Sequence, residues 1–159
     1  MNKEMQYIAR QITDAYEGDP WFGRNAKALL SEVNEQTAFE KPNGQHSMVE
    51  LVWHMVNWRE FVISRLTKDS TKDINYFEVN DWRALDHSDK ALLQQGLQRL
   101  HQTQAELLEV IGNESDALLD KNVEERSYTF RKLLHGILQH DIYHLGQIAY
   151  LQKLLTGKQ

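Results

Sequence analysis

Apolar residues recur at helical spacing in four long stretches and one short stretch of this 159-residue chain. The first stretch covers Lys3 to Glu17, with Met5, Ile8, Ile12, Ala15 and Tyr16 on one stripe, and Gly18-Asp19-Pro20 breaks it. Ala28, Leu29, Leu30 and Val33 predict a short helix over about residues 25–33, and Lys41-Pro42-Asn43-Gly44 reads as a turn. Ser47 followed three residues later by Glu50 predicts a capping box, in which each side chain satisfies a backbone N–H at the start of a helix. The second long stripe continues from there through Leu51, Val52, Met55, Trp58, Val62 and Leu66.

Residues 68–86 are polar, hold Tyr76, Phe77 and Trp82, and show no helical period. A connection of that length inside a bundle is a crossover, which lets the next helix run parallel to its predecessor. Ser88 is the expected N-cap of the third long helix, whose stripe is Leu92, Leu93, Leu97, Leu100, Leu107, Leu108 and Ile111, closed by Gly112-Asn113. The fourth runs from near Tyr128 to Leu155 and stops at Thr156-Gly157. The pattern predicts an all-α fold: a four-helix bundle with a long crossover between helices 2 and 3, as one domain over residues 1–159.

Composition narrows the chemistry. Net charge is −5, which lacks the basic footprint of a nucleic-acid partner. The opening residues Met1-Asn2-Lys3-Glu4-Met5-Gln6 have no apolar signal core and no apolar run suits a bilayer, so the expectation is a cytoplasmic protein with no membrane partner. The chain has no cysteine, so a metal must be held by nitrogen and oxygen, and any thiol must come from a cosubstrate.

The fourth stripe reads Leu133, Ile137, His140, His144, Ile148 and Leu151, so two histidines four residues apart point where the core points. Stacked imidazoles at that spacing can grip one divalent ion. Buried without a metal, each would need hydrogen bonds for its ring nitrogens. His54 lies on an inward stripe of the second helix with Leu51, Trp58 and Phe61; Arg65 continues that stripe and is expected at its solvent end. Three inward histidines supply three positions of a tetrahedral ion and leave the fourth for water or substrate. His46, His87, His101 and His135 are read as surface or rim residues. Gln147, three residues after His144, is a candidate to orient that ligand or a substrate, while Glu50 is explained by capping. Asp141, one position off the stripe, is expected in solvent, and Trp58 and Tyr143 are core or cavity-lining aromatics.

Three segments together resemble the DinB-like superfamily, which includes the YfiT-type proteins: Trp21-Phe22-Gly23, the run His46 to Trp58, and Tyr128-Thr129-Phe130 leading into His140-Asp141-Ile142-Tyr143-His144-Leu145-Gly146-Gln147-Ile148. The resemblance covers nearly the whole chain. It implies a four-helix bundle of up-down-down-up topology, often a homodimer, and a divalent metal held by three histidines that map to His54, His140 and His144. It further implies a metal-dependent hydrolase, or a transferase or isomerase using a low-molecular-weight thiol such as mycothiol, bacillithiol or glutathione. The expected function is therefore that of a zinc- or nickel-dependent enzyme acting on a small-molecule substrate. The alternatives are a non-catalytic metal-binding or stress-associated bundle, and a plain dimeric bundle with an empty polar pocket.

Overall fold

The computed structural model describes residues 2–69 and 71–157. Its order is α1 (Lys3–Glu17), α2 (Ala26–Leu30), α3 (Met48–Thr67), α4 (Ile74–Val79), α5 (Ala91–Gly112) and α6 (Phe130–Thr156). The four long helices α1, α3, α5 and α6 correspond to the four long apolar stripes. Among the described residues there is no β-strand, only one isolated bridge between Asn122 and Thr129. No described helix is long and apolar enough to cross a membrane.

Local chemistry sets the helix boundaries. The capping box forms: the Glu50 N–H donates to Ser47 Oγ, and the Ser47 N–H donates to Glu50 Oε2 at 2.8 Å. Thr129 caps α6, and Gly157 ends it with φ of 65°, a left-handed conformation that glycine adopts without penalty. Two boundaries differ from expectation. Ser88 does not cap α5; its N–H and hydroxyl donate to Asp86 Oδ1, which makes a local turn, and the helix begins at Ala91. The crossover is not devoid of helix, because Asp73 caps the single short helix α4 through the Tyr76 N–H.

Side-chain contacts give the relative directions of the helices. Trp53 Nε1 donates to the Leu92 carbonyl at 3.0 Å and Arg59 Nη1 to Gln104 Oε1 at 2.8 Å, so α5 runs alongside α3 in the same sense. On α6 the order reverses: Leu51 shares a cavity wall with Leu151, while Phe61 and Val62 share one with Leu133. Tyr16 Oη lies 3.3 Å from His101 Nδ1, and Asp116, just after α5, accepts from the Met5 N–H, so α1 runs against α5.

The core has two large apolar clusters with a polar layer between them, and a smaller third cluster of Ala38, Phe39, Val49 and Leu93. One large cluster is built around Met5, Ile8, Phe61, Phe77, Leu107 and Leu134, the other around Tyr16, Met48, Val52, Met55, Leu100 and Ile148. Arg59, Gln104, Asp141, His54 and His144 are buried at the levels between. Arg65 is also buried, contrary to the expected solvent end of its stripe. The crossover and the loop before α6 fold over it, so that Arg65 Nη1 donates to the Lys72 carbonyl and Nη2 to Glu125 Oε2 at 2.5 Å.

α3 and α5 approach closely at Gly96, where an added Cβ would lie 3.0 Å from Val52 Cγ1 and 3.1 Å from Trp53 Nε1. Trp53 cannot yield freely because its indole N–H is tied to Leu92. Gly96→Ala is therefore expected to lower stability by about 1–3 kcal/mol, overriding the helix-propensity gain. Gly112→Ala, whose Cβ meets open space, is the control expected to be neutral or stabilising in denaturant melts.

Candidate metal centre

His54 sits about two turns into α3, and His140 and His144 occupy successive turns near the middle of α6. Antiparallel docking brings them level. Their ring centroids form a triangle with sides of 4.9, 4.5 and 4.5 Å. Each ring offers a nitrogen, and the three nitrogens lie within 4.8 Å of one another. His54 and His144 are buried, at 7% and 6% exposure, and His140 is partly buried.

The other ring nitrogen of each histidine faces an acceptor. His54 Nδ1 lies 3.0 Å from the Asp81 carbonyl oxygen and 3.1 Å from Asp81 Oδ1. His144 Nδ1 lies 2.6 Å from Gln147 Oε1, and His140 Nδ1 lies 3.4 Å from Asp141 Oδ1. Oxygen acceptors require each Nδ1 to carry the proton, which leaves Nε2 as a lone pair. His54 Nε2 and His140 Nε2 then face each other at 2.9 Å with no proton to share. Opposed lone pairs at that distance repel, and a cation between them removes the repulsion. An all-imidazole donor set with every Nδ1 anchored in this way fits a divalent transition metal.

Burial favours the neutral, metal-binding form. Desolvation, reinforced by the neighbouring His140, pushes the His144 pKa down to about 4, and the same two effects lower that of His54. His54 is therefore neutral near pH 7, and its contact with Asp81 is a hydrogen bond to a carboxylate instead of an ion pair.

A further layer holds the acceptors in place. Trp58 Nε1 donates to Asp81 Oδ1 at 2.6 Å, and Arg59 Nε donates to Asp141 Oδ2 at 2.7 Å. Asp141 is thus 5% exposed and ion-paired, not solvated as its offset from the first stripe suggested. It belongs to a second buried stripe of α6, Leu134, Ile137, Asp141, Leu145 and Ile148, which turns toward α1 and α3. The apolar members of that stripe are visible in the sequence, but the burial of Asp141 depends on its pairing with Arg59. Asp81 and Trp82 left no signal in the sequence, because residues 68–86 show no period from which to place them.

Trp82 lies between two histidines. Its ring stacks on His54 at 3.9 Å and 8° and on His46 at 3.6 Å and 9°. His46 is exposed, as expected, yet it forms part of the wall beside the three histidines. His87, His101 and His135 lie apart from the triangle. Glu50 keeps its capping role and also accepts from Lys41 Nζ. Tyr143 is 64% exposed and lines a cavity, so it is not a core aromatic.

The family model of the DinB superfamily matches residues 22–148, a span that holds all three histidines and most of the chain. The chain belongs to the DinB superfamily. Neither the curated proteins nor the solved structures gave a match. DinB superfamily membership and the three-histidine cluster are together compatible with metal binding.

The depressed His144 pKa has a thermodynamic consequence. Between about 4 and 6.5 the unfolded chain holds a proton on this residue that the folded chain does not. Acid therefore favours unfolding across that window, and stability falls as pH drops through 6.5 until both states are protonated near 4. The melting temperature of metal-stripped protein is expected to fall more steeply from pH 6.5 to 4 than that of His144→Gln. Parallel curves for the two proteins would refute this.

Proposed function

We propose that His54, His140 and His144 bind one divalent metal ion through Nε2 and that the protein is a metal-dependent enzyme. The reaction is hydrolysis of a small-molecule substrate or transfer to a low-molecular-weight thiol. The observation that carries this reading is the convergence of three ring nitrogens whose opposite nitrogens all have oxygen acceptors. The donor set suits zinc or nickel and disfavours the hard ions magnesium and calcium. When bound, such an ion supplies Lewis-acid activation of water or of a thiol.

The chain's own residues do the positioning. Asp81, Asp141 and Gln147 hold the Nδ1 protons, which fixes the tautomer and tilt of each imidazole. Trp58 and Arg59 in turn hold the two carboxylates. His144 also lines the largest cavity beside the centre, about 590 Å³, which gives a substrate an approach to that corner. The absence of cysteine from the chain leaves an added thiol as the only thiol available.

Protein purified without a nickel column is expected to carry or bind one divalent ion per chain by metal analysis and calorimetry. Asp81→Asn keeps the carbonyl acceptor of residue 81 but weakens the carboxylate contact, and is expected to cost about 10–100-fold in metal affinity. His144→Ala is expected to cost more. Turnover by metal-loaded protein only when a thiol is added would identify a transferase, and turnover in water alone a hydrolase. Metal binding that raises the melting temperature without any turnover would favour a structural staple between α3 and α6. A protein that binds no metal on titration defeats the proposal.

A further inference from the structure

The cavity at His144 is walled by Leu51, Trp82, Tyr143, Tyr150, Leu151 and Leu154, with Gln45, His46 and Gln147 as polar contributors. Among the described residues no Asp, Glu, Lys or Arg lines it. The contrast lies just beyond Trp82, where a smaller space of about 230 Å³ beside His54 is lined by Lys41, Glu50, Asp81 and Arg83. The His46–Trp82–His54 stack therefore separates an uncharged chamber from a charged one.

Gly146 adds an independent observation. It lies inside the 27-residue helix α6, where glycine is the least favourable residue after proline. Packing does not require it, since a Cβ placed there would meet nothing within 4 Å. What its missing side chain does is leave bare the wall of the chamber between Tyr143 and Tyr150, which lie on the same face of α6 two turns apart. A helical side chain leans toward the N-terminal turn, so a larger residue at 146 would cover the Tyr143–His144 corner.

We infer that this chamber binds the uncharged, ring-bearing or branched apolar part of the substrate, and that Gly146 keeps it accessible. A carboxylate or phosphate placed against these walls, away from the His144 corner, would lose hydration without gaining a lysine or arginine partner. An amide or ester carbonyl can accept there from the Gln147 amide. The inference deepens the reading of the three histidines as a reaction centre and rests on it.

The test uses phenylacetamide and indole-3-acetamide against phenylacetate and indole-3-acetate, titrated into metal-loaded protein by calorimetry and tryptophan fluorescence. The amides are expected to bind saturably and the carboxylates at least tenfold more weakly. Gly146→Leu is expected to keep its metal stoichiometry and an equal or higher melting temperature while losing at least tenfold in amide affinity. Leu154→Lys, at a half-exposed wall position, is expected to shift the preference toward the carboxylates. Carboxylates binding as tightly as amides, no saturable amide binding, or unchanged binding by Gly146→Leu would overturn the inference. Metal titration of the same samples separates the two readings: intact metal binding without amide preference defeats only the chamber, and absent metal binding defeats the histidine centre.

Discussion

One buried guanidinium ties the four long helices to a single register. Arg59 extends from α3, donates to Asp141 on α6 and to Gln104 on α5, and lies 5.2 Å from the centre of the Tyr16 ring on α1. It is 3% exposed, so slipping α3 against α6 by one turn would leave a buried charge without its partner, and slipping α5 or α1 would cost the guanidinium its amide or ring contact. Removing one member of such a pair costs about 3–5 kcal/mol, whereas the intact pair gains little over an apolar replacement because desolvation offsets the attraction. Its contribution is therefore to select one packing arrangement more than to add stability.

The same interaction reaches the histidine centre. Asp141 spends one carboxylate oxygen on Arg59 and turns the other toward His140 Nδ1. The arrangement that sets the helix register thus also orients one of the three rings. On the opposite side, Trp58 and Asp81 do the same for His54, with the crossover supplying the carboxylate. Each imidazole is fixed from behind, and the free nitrogens have only one direction left to point. A polar layer this dense inside an apolar core is stable only when nearly every member is satisfied. Within the layer Gln104 Nε2 remains without a partner, and among the other described residues so do Asn57 Oδ1 and the Nε atoms of Arg65, Arg83 and Arg126, so part of the cost of burying polar groups is left uncompensated.

The centre is asymmetric in its surroundings. His144 borders a roomy uncharged chamber, His54 a small charged one, and His140 an apolar groove with Trp58, Phe61 and Tyr128. The rings are held alike, so chemical discrimination around the site comes from these walls. Two glycines of α6, Gly136 and Gly146, lie in those walls with open space where a Cβ would be.

Much of this was legible in the sequence. Apolar periodicity marks α1, α3, α5 and α6 because each buries a continuous stripe, and Ser47-Glu50 marks the start of α3 because capping is local chemistry. The inward direction of His54, His140 and His144 follows from the same periodicity. The short crossover helix, the start of α5 and the burial of Arg65 were not legible, since each depends on what folds over a polar segment. Asp141 was half legible: its second stripe was present, but only packing against Arg59 decided whether that stripe faced solvent or core. Asp81 and Trp82 come to the histidines through a connection without periodicity, and no spacing rule places residues there. Sequence determined which side chains turn inward, because that is a property of one helix. Which of them meet, at what distance and with which acceptors was decided by the docking of helices and crossover, which is a property of the whole chain.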